Sequence, residues 1–99
     1  MTAIPEKMRA VVAYAPGDYR LEEVDVPKIG PGEILVKVEA CGICAGDIKA
    51  YTGAPSFWGD ETQPAYIKAP VIPGHEFIGH VAALGDGVTG FEVGDRVIS

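Results

Sequence analysis

The chain has 99 residues, a formal net charge of -6, and 47% hydrophobic against 22% charged residues. That is the composition of one small globular domain, which buries roughly 60–70% of the surface its unfolded chain exposes. The acidic balance repels phosphate backbones and anionic lipid, so no nucleic acid and no membrane are expected as partners.

Thirteen glycines and eight prolines punctuate the chain and suit short strands and turns better than long helices. The apolar run Ala10 to Ala15 is too short for a signal-peptide core or a membrane span. Two cysteines do not make a disulfide scaffold, and a cytoplasmic location with reduced thiols is the expectation.

In chain order, residues 8–15 (MRAVVAYA) are β-rich and stop at a Pro-Gly-Asp turn, and 19–26 (YRLEEVDV) alternate loosely up to Pro27. Residues 34–43 (ILVKVEACGI) form the clearest strand. Alternation puts Ile34, Val36 and Val38 on one face and Lys37 and Glu39 on the other. One or two helical turns are expected over AGDIKAYTG, before Gly53. Residues 54–70 have no clean period but carry Phe57, Trp58 and Tyr66, which argues for an ordered, functional loop. Residues 71–85 read as a strand interrupted near Gly74, followed by turns and a last β-like stretch, RVIS. The fold class is therefore mainly β, a small barrel or sandwich with a short helix, with no internal repeat and no linker.

Cys41 and Cys44 are spaced C-x-x-C. A redox pair of this spacing belongs at a helix N-terminus in a βαβ unit, and no such unit fits here. A structural zinc site needs four ligands, but His75 and His80 lie an odd number of residues apart in a β-like stretch and so on opposite faces. Two inert thiols remain the plain alternative to one ligand cysteine. The stretch HEFIGH has one residue too many for the H-E-x-x-H metalloprotease helix, and His80 reads as a structural or surface histidine. His75 is either a hydrogen-bonded loop histidine or a metal ligand. GDGVTG, residues 85–90, fits G-x-G-x-x-G, but β-like sequence rather than a helix follows it, so these are turn glycines.

Taken together, CGICAGD, PGHEFIGHVAALGDGV and FEVGDRV resemble the N-terminal part of the catalytic domain of zinc-dependent medium-chain alcohol dehydrogenases, from Met8 to Ser99. The resemblance implies a GroES-like barrel over residues 1–99. It implies that the chain is an incomplete catalytic domain lacking the Rossmann domain, so no cofactor-binding residue is assigned. It implies zinc as cofactor, with NAD or NADP in the full-length enzyme, and hydride transfer from a small alcohol or polyol. Metal ligands by resemblance are Cys44 and His75, with Glu76 approaching the metal during ligand exchange. Asp47 orients the His75 ring, and these four are the expected catalytic set. Cys41 becomes a buried structural thiol.

The chain departs from the family at Gly46, where many members carry Ser or Thr, and at Lys49, where many carry His. These departures put the usual side-chain proton relay in question, and a water chain, another hydroxyl or Lys49 could replace it. Lys49 otherwise reads as an ordinary solvated lysine. The segment containing SFWGDETQPAY is longer than usual and is similar to one in bacterial polyol dehydrogenases of the erythritol and threitol type. Trp58 and Lys49 are the expected pocket residues, although Trp58 could equally pack the loop onto the barrel. The isolated chain is expected to be inactive and the full-length enzyme a dimer or tetramer. The alternatives are a stand-alone GroES-like binding or co-chaperonin module, which has no need of the ligand set, and a zinc-free quinone-reductase relative.

Overall fold

A computed structural model of the chain describes residues 3–99. Its elements are β1 (Lys7–Ala15), β2 (Asp18–Asp25), β3 (Ile34–Gly42), α1 (Ala45–Tyr51), α2 (Pro55–Trp58), β4 (Glu76–Leu84) and β5 (Arg96–Ile98). The protein is mainly β, as the strand-and-turn composition predicts. The strands fall into two sheets, β1-β2 and β3-β4-β5. The chain forms two compact units. One takes the segment ending at Met8 together with Asp25–Gly42 and His75–Ser99, and the other takes Arg9–Val24 and Ile43–Gly74.

In the first unit β3 pairs antiparallel with β4 from Ile34↔Leu84 to Gly42↔Glu76, and β5 pairs antiparallel with β4 on its other side. Val81 at the centre of β4 is completely buried. The ladder shifts register between Leu35 and Val36 and again between Val38 and Ala40, which leaves Glu39 as an extra residue on β3. A bulge re-aims side chains. The carboxylate of Glu39 accepts from Arg96 Nη2 at 2.6 Å and meets His80 Nδ1 at 3.3 Å, tying β3 to both β4 and β5.

The expected inward face of β3 holds only in part. Ile34 and Val36 are half-buried, but Val38 is 53% exposed. Cys41, expected as a buried thiol, is exposed, because β3 is uncovered from Lys37 to Gly42. Alternation shows which residues share a face but not whether another layer covers that face. The strand expected across 71–85 begins only at Glu76. Val71 makes an isolated bridge to Ala13 instead, and residues 85–95 hold no strand or helix, with turns at Asp86-Gly87 and Val93-Gly94 and a bend at Gly90.

In the second unit β1 and β2 are joined through Pro16-Gly17, and Val12, Ala13 and Ala50 are buried. Residues 54–70 are ordered, as their aromatics suggest. Pro55 opens α2, where its missing N–H costs nothing. Gly59 turns the chain at a φ of 80, and a Cβ there would lie 2.6 Å from the Ala65 nitrogen, so only glycine fits. Asp60 Oδ1 then accepts from the amides of Thr62 and Gln63 and from the Thr62 hydroxyl.

Candidate metal centre

The site is built around the start of α1. Cys44 is the N-cap, with an extended φ of -110 and ψ of 176. Its carbonyl accepts from the amides of Asp47 and Ile48 at 3.1 and 3.3 Å. Asp47, third in the helix, turns Oδ2 back to accept the Cys44 N–H at 3.0 Å. An acid three residues after the cap satisfies a backbone amide that the helix itself leaves without a partner. One carboxylate oxygen of Asp47 is therefore committed to holding the Cys44 backbone in place.

His75 sits immediately before β4. Its Nε2 lies 3.5 Å from Glu76 Oε2, with both side chains more than half exposed. Cys44 and Asp47 thus stand together at the start of α1, one with a thiol and the other with a carboxylate that can bind a metal. A thiolate and an imidazole are a donor set that suits zinc, and a catalytic zinc wants about three protein donors and one open position. The residues present fit the metal.

The two expected pocket residues, Lys49 and Trp58, lie at the far end of α1 and on α2. Lys49 is exposed, on the last turn of α1. Trp58 is half-buried, and its indole N–H donates to the Ala50 carbonyl at 2.6 Å, which ties α2 to the end of α1. Phe57 brings an aromatic ring beside Gly46. A Cβ built on Gly46 would touch Cys44 Sγ at 3.5 Å and Phe57 Cζ at 3.9 Å, both ordinary contacts. Phe57 also packs edge-on against Tyr66, with centroids 6.3 Å apart. The cluster of aromatics in 54–70 signalled such a wall, but only the α2 turn decides which ring faces Gly46. His80, in β4, meets the carboxylate of Glu39, in β3, through Nδ1 at 3.3 Å.

Residues 30–99 match the family described as "Alcohol dehydrogenase GroES-like domain". The chain belongs to this family. The resemblance drawn from the three motifs is borne out. An erythritol/L-threitol dehydrogenase of Mycolicibacterium smegmatis is 59% identical over 99 residues, a match covering 97% of this chain and 27% of the relative. A cobalt- and zinc-bound thermostable alcohol dehydrogenase from Pyrobaculum aerophilum superposes with a TM-score of 0.77 at 36% identity, covering 93% of this chain and 26% of the other. A Sinorhizobium meliloti zinc-binding dehydrogenase bound to NADP gives 0.76 at 35% identity, covering 93% and 24%. The chain thus spans about a quarter of the length of the relatives it matches. Its matched relatives are dehydrogenases, and no helix among the described residues is long and apolar enough to cross a membrane.

Proposed function

We propose that this chain supplies the metal-holding part of a zinc-dependent oxidoreductase that transfers a hydride between a small polyol and NAD or NADP. The observation that carries this reading is Cys44 held at the start of α1 by Asp47, with His75 directly before β4, in a chain of this family. The 59% identity to an erythritol/L-threitol dehydrogenase supports a short polyhydroxy substrate.

Cys44 Sγ and a ring nitrogen of His75 would hold zinc. Bound there, zinc supplies a Lewis acid that lowers the pKa of an alcohol oxygen. Asp47, with Oδ2 taken by the Cys44 amide, would use its remaining acceptor capacity on the second ring nitrogen of His75 and so fix the tautomer. Glu76, beside His75, would serve as an alternative carboxylate ligand when the metal exchanges partners. Trp58 and Lys49 remain the proposed pocket residues, now joined by Phe57 as the ring nearest Gly46. With no side-chain hydroxyl at Gly46, the alcohol proton would leave through water. Assembly as a dimer or tetramer and a cytoplasmic location belong to this reading of the whole enzyme.

The test is oxidation of erythritol and L-threitol with NAD and with NADP, alongside metal analysis, for the protein purified from its own source and for Cys44→Ser. Zinc and polyol oxidation that are lost together in Cys44→Ser are expected. Zinc-free protein, or activity untouched by Cys44→Ser, would overturn the proposal. The 99 residues assayed alone should not reduce either nucleotide.

A further inference from the structure

The role of Trp58 goes beyond lining a pocket. A seven-residue helix such as α1 is far too short to hold its own shape in water, where isolated helices below about 12–15 residues are marginal. Its geometry is therefore set by whatever grips its ends. At the N-terminal end the grip is the Cys44–Asp47 pair. At the C-terminal end each of the last four carbonyls, which the helix cannot satisfy internally, has a named donor. Ile48 O takes the amide of Thr52 at 3.0 Å and its hydroxyl at 2.9 Å, and Lys49 O takes the amide of Ala54 at 3.0 Å. Tyr51 O takes the amide of Gly17 at 2.9 Å. Ala50 O takes the Trp58 indole N–H at 2.6 Å, against 3.3 Å for its backbone donor, Gly53. Trp58 is the donor that α2 sends to this end, and its neighbour Phe57 reaches Gly46 at the other end of the same helix.

We infer that Trp58 is a positioning residue for the metal ligands: through the Ala50 carbonyl it fixes α1, and through α1 it fixes the directions of Cys44 and Asp47. This rests on the reading of Cys44 as a metal ligand. Substitution of Trp58 should weaken metal binding and not merely alter substrate affinity.

Cobalt(II) titration of the chain is the test, because thiolate-to-cobalt charge transfer absorbs only when a cysteine ligates. Wild type should show the band and Cys44→Ser should lose it. Absence of the band in wild type would defeat the underlying metal reading rather than the role of Trp58. With the band present, Trp58→Phe keeps a ring but no N–H. It should weaken cobalt about three- to tenfold, short of the roughly 10–100-fold seen for direct hydrogen-bond partners of a ligand. Trp58→His, which restores a ring N–H, should recover part of the loss. Equal cobalt affinity in Trp58→Phe and wild type would overturn the inference. Should Trp58→Phe fail to fold, wild type decides, because Trp58 is the single tryptophan of the chain. A change in its emission on saturation with zinc, absent in Cys44→Ser, is the expected result. Unchanged emission at zinc saturation would overturn the inference.

Discussion

Asp47 shows how one side chain can serve both the helix and the metal. Its Oδ2 bonds to the Cys44 amide at 3.0 Å, so Asp47→Ala should cost about 1 kcal/mol of stability even without metal, measured by urea unfolding. It should also weaken zinc, whereas Asp47→Asn, which keeps an acceptor oxygen, should retain most of the stability and lose part of the zinc affinity. Gly46 offers the opposite case. A Cβ there meets only ordinary contacts, so Gly46→Ala should stabilise the chain by roughly 0.5–1 kcal/mol by raising helix propensity. No change, or destabilisation, in the same urea experiment would mean that the Phe57 contact is tighter than its 3.9 Å suggests. Glu39 gives a pH signature. The Arg96 hydrogen bond, and then that of His80, hold its carboxyl below the usual glutamate range. A carboxyl with a depressed folded-state pKa contributes stability above its unfolded pKa of ~4.3 and loses it as pH falls through the lower folded value. The urea midpoint of Glu39→Gln should therefore fall less between neutral and acid pH than that of wild type.

Among the elements, the β3–β4 ladder depends on one residue without a side chain. A Cβ on Gly79 would lie 2.3 Å from the Lys37 carbonyl oxygen, which is backbone and cannot step aside. Gly79→Ala should destabilise the protein by about 2–3 kcal/mol, read by thermal or urea unfolding. A loss under 0.5 kcal/mol would show that β3 and β4 can separate freely at that point. The same ladder explains what was legible in the sequence and what was not. Ile34 to Val38 were recognisable as a strand because the β-branched Ile34, Val36 and Val38 fall at every second position, with Lys37 and Glu39 on the other face. The bulge at Glu39 was not recognisable, since a one-residue slip in pairing leaves no mark in a single strand's own pattern. The exposure of Cys41 follows from the same gap in information. α1 was legible as a short helical stretch bounded by Gly53, and α2 was hidden in a segment without a period.

For the molecule as a whole, metal and stability should be linked. A ligand that binds only the folded chain stabilises it by RT ln(1 + [L]/Kd), about 2.7 kcal/mol at a hundredfold excess over Kd. Zinc at that excess should raise the unfolding free energy by that amount in wild type and not in Cys44→Ser or His75→Ala, while a chelator returns wild type to the metal-free value. An identical midpoint with and without saturating zinc would mean that the ligand group does not hold the ion.

The sequence by itself determined the mainly β class, the turn character of the 85–90 glycines, the helix after Cys44 and the identity of Cys44, Asp47, His75 and Glu76 as candidates. Periodicity, turn chemistry and motif order are local properties, carried by residues a few positions apart. Tertiary structure alone decided that Phe57 rather than Trp58 faces Gly46, and that Trp58 is bonded to the end of α1. Those facts join residues eight to eleven positions apart in the chain, and only the folded path between them fixes their distances.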